Sequence, residues 1–174
     1  SGYNVMIVAE FVLRALGFLS KRIAAITAIV VITAFVLASG AGAASIRAGI
    51  MAGVALYGRA TGRTYDALRA LMAAGLLMIL ISPLTLAFDP GFQLSFIATL
   101  GLIFGAPIIE RKLKWISSVF LREIVAATGA AQIAVLPLLL YQNGLFSLIA
   151  LPANVLVLPF VPFAMLASAL ALFA

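Results

Sequence analysis

The chain has 174 residues, of which 66% are hydrophobic and 9% charged, with a formal net charge of +6 and neither histidine nor cysteine. A soluble domain carries about a quarter charged residues, so this composition cannot cover a surface in water, and a mean hydropathy of +1.27 says the same. The missing residue types exclude disulfides, thiolate centres, the commonest metal ligand and the usual general base, and five acidic residues in separate stretches offer no carboxylate pair.

A hydrocarbon core takes roughly 20 apolar residues per helical crossing. The expected fold class is therefore all-α, a polytopic helical membrane protein of about six to seven segments, some short or broken. Ten of the eleven basic residues fall into three groups, Arg14/Lys21/Arg22, Arg59/Arg63/Arg69 and Arg111/Lys112/Lys114/Arg122, and Arg47 stands outside them. Lys and Arg collect in cytoplasmic loops, which sets residue 1 on the outer side, together with 40–47, 86–90 and 141–147. Topology thus accounts for much of the charge, and charge alone names no ligand.

Segment one, from about Tyr3 to Leu19, carries Glu10, Arg14, Gly17 and Lys21 on one helical stripe, and Glu10 and Arg14 can pair at i,i+4. Segment two, Ile23 to Ser39, is uniformly apolar and breaks at Ser39-Gly40-Ala41-Gly42. Segment three, Ala43 to Tyr57, is short, carries Arg47 near its start and offers Gly49 and Gly53 as a face for close helix contact. It is either a tilted short span or a half-helix. Thr64 and Asp66 are start signals for segment four, which Pro83 ends or kinks after Ser82. Asp89-Pro90 pairs an acidic N-cap with proline at the first helical position and opens segment five, Gly91 to Ala106.

From Pro107 to Arg122, apolar residues alternate with Glu110, Arg111, Lys112 and Lys114, as in a segment lying along the cytoplasmic interface. Segment six, Ile124 to Leu140, contains Pro137 and leads to a polar turn at Tyr141-Gln142-Asn143-Gly144. Pro152, Pro159 and Pro162 then interrupt the last apolar run. The expectation there is a short piece up to Ala150 and a discontinuous final helix, tolerated at membrane depth only where freed backbone faces protein or a wet cavity.

Few side chains can carry function. Arg47 reads as a docking point for a phosphate or carboxylate in an aqueous path, or as a cation snorkelling to headgroups or neutralised by Asp89. Asp89 and Gln93, i,i+4 on segment five, form a polar wall, or Asp89 simply caps the helix. Thr128 and Gln132 form a second polar pair that glues helices or meets substrate. Asn4 and Asn154 cap freed backbone or touch ligand, and Phe92 and Phe96 flank the polar face of segment five. Glu10 carries a proton or, more simply, pairs with Arg14. Passage rather than enzyme chemistry is the default, with no cofactor.

The run Asp89-Pro90-Gly91-Phe92-Gln93-Leu94-Ser95-Phe96, followed by Ala98 and Gly101, resembles the "D-x-G-F-Q-L-S-F" signature of the ComEC-type competence channel family. Ser1-Gly2-Tyr3-Asn4-Val5 is similar to its "S-G-L-H-V" segment, with Asn4 in place of the usual histidine. Ser45-Ile46-Arg47-Ala48 through Met51 is similar to "R-A-x-x-M", Gln132 with Leu136-Pro137 to "Q-x-x-x-L-P", and Asn154 to Pro159 to "N-x-x-x-x-P". The resemblance spans essentially the whole chain. It implies a bacterial inner-membrane channel passing single-stranded DNA into the cytoplasm during natural transformation, with Asn4, Arg47, Asp89, Gln93, Gln132 and Asn154 lining the DNA path.

Full-length members of that family add an extracytoplasmic oligonucleotide-binding-fold domain and a metallo-β-lactamase-like nuclease, so residues 1–174 are expected to be a single transmembrane competence domain cut from a longer protein. The implied partners are single-stranded DNA, membrane lipids, those two absent domains and the DNA-uptake machinery. A secondary transporter for a small anion, with Arg47 binding substrate, and a purely structural membrane scaffold are the competing readings.

Overall fold

A computed structural model describes residues 2–15, 20–144 and 149–171, and among them all regular structure is helical. Ser1, residues 16–19 with Gly17 at the end of the expected segment one, and residues 145–148 lie outside the described residues. The chain forms two compact units, Ser1–Gln93 and Leu94–Ala174.

The first unit contains α1 (Gly2–Ala15), α2 (Lys21–Ala38), α3 (Ala43–Thr61), α4 (Ala67–Ile81) and the single turn α5 (Thr85–Phe88), and closes with the first turn of α6 (Pro90–Leu100). Its core is made mostly of small and β-branched residues from three helices: Val5 and Ala9 of α1, Ala25, Ala28, Ile32 and Val36 of α2, and Ala48 of α3, with Leu56 of α3 beside them. Such side chains let helix backbones come close, which is the main source of attraction where lipid removes the hydrophobic drive between helices. Gly49 shows the tolerance involved, since a methyl group there would stand 3.0 Å from Val36 Cγ2. Gly53, the other half of the expected small-residue face, meets nothing within 4 Å.

Helix ends follow local chemistry. The Ser20 hydroxyl accepts from the Ile23 amide at 3.5 Å, and Asp66 Oδ1 accepts from the Arg69 amide at 3.0 Å. Each such cap is worth about 1 kcal/mol. Between α2 and α3, Gly40 (φ 86°) and Ala41 (φ 49°) both take the left-handed conformation, so the break falls where Ser39–Gly42 predicts it. α3 outruns its expected end at Tyr57, stopping at Gly62 with φ 71°. At 19 residues it is about 28 Å long.

In the second unit, the rest of α6 continues through a π turn (Gly101–Gly105) into α7 (Ala106–Lys112), making one continuous rod, Pro90–Lys112. The stretch from Pro107 to Arg122, expected along the interface, is divided between the end of this helix, a turn and the start of the next helix. The Ala106 amide reaches back five residues to the Gly101 carbonyl, so the hydrogen-bond register widens just before Pro107, which has no N–H to offer. Residues 107–112 therefore stay helical, and 119–122 belong to α8 (Val119–Asn143), capped by Ser118. The π turn also brings the rod against α8: a Cβ on Gly101 would lie 2.5 Å from Ala134 Cβ and 2.8 Å from the Ala130 carbonyl oxygen.

α9 (Ala150–Val157), a 3-10 turn (Leu158–Phe160) and α10 (Val161–Ala171) follow. Pro152 does not break the chain as expected, because it sits in the first turn of α9, where its missing N–H costs nothing. The final helix is discontinuous at Pro159, one of the interruptions expected. Two helices, Pro90–Lys112 and Val119–Gln142, are long and apolar enough to cross a membrane, and Ile23–Ala38, Ala67–Ile81 and Pro152–Ser168 are shorter apolar helices. Only 17% and 22% of the two long stretches are buried inside the protein, unlike the core helices of a soluble fold.

Candidate functional site

The sequence motif around Asp89 folds into a compact clasp. Asp89 Oδ1 accepts from the Gly91 amide at 2.8 Å and from the Phe92 amide at 3.2 Å, which satisfies two of the donors a helix start leaves open. The Gln93 amide then reaches backward, donating through Nε2 to the carbonyls of Leu86 and Ala87, both at 3.0 Å. Asp89 thus ties down the helix that follows, and Gln93 the turn that precedes. Space at Gly91 is tight, since a methyl there would stand 3.0 Å from Asp89 Oδ1. Phe92 is buried beneath this clasp at 4% exposure, while Leu94 and Phe96 are half-buried. Ser95 is buried too, and its hydroxyl has no hydrogen-bond partner among the described residues.

Gly91 stands 3.8 Å, measured from its Cβ position, from Ala43 Cβ at the start of α3. Arg47 lies one turn further along that helix, i,i+4 from Ala43 and so on the same side. Its Nε is buried and lacks a hydrogen-bond partner among the described residues. The ion pairs among the described residues are Glu10–Arg14, Glu10–Arg59, Asp66–Arg69 and Glu110–Arg122, none of which uses Arg47, and neutralisation by Asp89 is not seen.

Arg47 instead senses Tyr65, a residue that sequence reasoning passed over. After α3 the chain doubles back, with the Arg63 amide donating to the Gly58 carbonyl at 2.9 Å and the Arg63 carbonyl packed 3.3 Å from the Cβ position of Gly58. This turn carries Tyr65 into electrostatic reach of the Arg47 guanidinium. Burial pushes the Tyr65 phenol above its ordinary pKa, the Arg47 cation draws it back down, and Asp66 adds a smaller upward push. The available signal was Gly58, four residues before Gly62: a glycine inside a helix marks a close backbone approach.

The other candidates lie on several helices of the two units. Asn4 is half-buried in the first turn of α1. Glu10 receives Arg14 at 3.2 Å and Arg59 at 3.5 Å, joining α1 to α3 at their basic ends and going beyond the single pair expected. In the second unit, Gln132 is half-buried on α8, one turn from buried Thr128, and Asn154 is exposed in the middle of α9. No group of three or more His, Cys, Asp or Glu side chains suitable for a metal is present among the described residues.

Residues 1–174 match the competence protein family. The chain belongs to that family. ComE operon protein 3 of Bacillus subtilis (strain 168) is 29% identical over an alignment covering 98% of this competence-family chain and 22% of the relative. The chain thus spans about a fifth of the length of that protein. No solved structure matches it.

Proposed function

We propose that this chain is the membrane core of a ComEC-type channel, a multi-pass protein of the bacterial inner membrane with residue 1 outside. Six to seven segments, with short and broken helices among them, conduct single-stranded DNA into the cytoplasm. The observation that carries the reading is the family match along the entire chain, which includes the Asp89–Phe96 run.

Physical chemistry supplies a role for Arg47. Each nucleotide brings a negative charge that hydrocarbon rejects, so a path for a strand needs water and cationic or hydrogen-bonding side chains. Arg47 is a cation with no carboxylate paired to it and one donor unsatisfied, so a passing phosphate would complete its hydrogen bonds. The Asp89–Gln93 clasp holds the neighbouring helix start while directing its own polar groups to backbone, which keeps the Asp89 charge engaged. Gln132 and Asn154 are further path candidates, and the role is passage without a catalytic step or cofactor. Extracytoplasmic DNA-binding and nuclease parts of the longer protein, with the uptake machinery, would deliver the strand.

A secondary transporter for a small anion is favoured by one fact, that Arg47 is a single cation and suits a single anionic group. Proteoliposomes holding the full-length protein separate the two. The channel reading predicts entry of fluorescent single-stranded DNA, reduced about tenfold or more by Arg47→Ala, with no saturable uptake of small labelled anions. Uptake of the small anions without DNA entry would establish the transporter.

A further inference from the structure

Where α7 turns into α8, a cleft of about 460 Å³ opens between Pro107, Glu110, Arg111, Lys114 and Arg122. Three cations face one carboxylate there. Glu110 Oε1 receives Arg122 Nε at 3.3 Å and holds that side chain in the wall, at 22% exposure, and this leaves Arg111 and Lys114 as exposed charges without an ion-pair partner among the described residues. The DNA path proposed above, built on Arg47 and the Asp89 clasp, makes no use of this cluster.

Its position tells what it meets. The cleft sits at the shared end of the two helices long and apolar enough to cross a membrane, whose outer surfaces are mostly unburied. Bulky apolar side chains neighbour its lining residues along the chain: Trp115, next to Lys114, is 78% exposed, and Ile108 and Phe120 are exposed as well. An indole at the end of a lipid-facing helix belongs at the headgroup level, and cations beside it meet the phosphates there. A polynucleotide would need a groove that continues along the backbone, whereas this cleft is lined by five residues at one helix junction.

We propose that the α7–α8 cleft binds the phosphodiester headgroup of an anionic membrane lipid, with Arg111, Lys114 and Arg122 around the phosphate and Trp115, Ile108 and Phe120 against the acyl chains. The proposal rests on the membrane reading of the two long helices but not on DNA conduction, so loss of either leaves the other standing.

Native mass spectrometry of the full-length protein in detergent, titrated with phosphatidylglycerol and with phosphatidylethanolamine, tests it. Preferential retention of phosphatidylglycerol is expected. The paired change Arg111→Gln with Lys114→Gln should weaken that retention about 25-fold, about fivefold per surface charge. Both side chains are exposed, and a circular dichroism spectrum confirms that the variant keeps its helices. The matched pair Arg63→Gln with Arg69→Gln, which removes the same charge elsewhere, should leave retention unchanged. Equal retention of the two lipids, equal loss in the matched pair, displacement of the lipid by inorganic phosphate at the same concentration, or its displacement by a single-stranded oligonucleotide would each overturn the assignment.

Discussion

Asp89 combines a negative charge with a cap, and substitution separates the two. Its carboxylate accepts from two backbone amides at the start of α6, a role that asparagine or serine can also fill. Asp89→Ala is therefore expected to cost about 1 kcal/mol of stability, whereas Asp89→Asn should retain nearly all of it. Thermal unfolding in detergent measures the stability, and transformation frequency in the same strains reads whether the charge itself matters. Equal damage from both substitutions would assign the residue an electrostatic role beyond the cap. The Arg47–Tyr65 relation has an equally direct readout. Because the cation lowers the phenol's pKa and Asp66 raises it, Arg47→Gln should move Tyr65 titration to higher pH and Asp66→Asn to lower pH, followed by the NMR signal of its ring. The sign follows from charge: the tyrosinate is stabilised by a nearby cation and opposed by a nearby anion. The capping role of Asp89 was legible in the sequence because Asp-Pro is a local signal. Tyr65 was not, since its partner lies 18 positions away and is reached only through the chain reversal at Gly58.

At the scale of elements, apolar runs located the helices, and their polar caps located several ends. Asp66 and Asp89 mark starts, and Ser39–Gly42 marks a stop, all readable within a few residues. Pro107 and Pro152 misled because proline is costly only where an amide is needed. Pro152 falls in a first turn, and Pro107 follows a π turn that has already shifted the register, so neither ends its helix. That π turn depends on contacts with α8 that no local pattern announces. Gly101 is its tightest point, with the Ala130 carbonyl 2.8 Å from where a Cβ would stand, and backbone cannot move aside as a flexible side chain would. Gly101→Leu should lower the melting temperature strongly, by an overpacking cost of about 1–3 kcal/mol or more. Gly53→Ala, at a helix position with open space around it, should be neutral or slightly stabilising. A thermal-shift comparison of the two variants decides, and equal effects would refute the packing argument.

For the whole molecule, composition and the sorting of basic residues along the chain were enough to make a helical membrane protein legible. The candidate path was less so. The capping and clasp contacts absorb the polar groups of Asp89 and Gln93, Asn154 is exposed on its own helix, and Arg47 alone keeps a buried donor unsatisfied among the charged residues described. The central claim is that the Arg47 side of α3 borders water through which a polyanion moves. The chain has no cysteine, so single substitutions give clean reporters. Ala43→Cys, Ile50→Cys, Met51→Cys and Val54→Cys lie along that side at helical spacing, and Leu56→Cys points into the core. Membrane-impermeant thiol labelling of these variants, with and without single-stranded DNA, is the most direct measurement. The account predicts labelling at all four positions, slowed when DNA occupies the path, and none at Leu56. Labelling confined to Ala43, or labelling that DNA leaves unchanged, would contradict it.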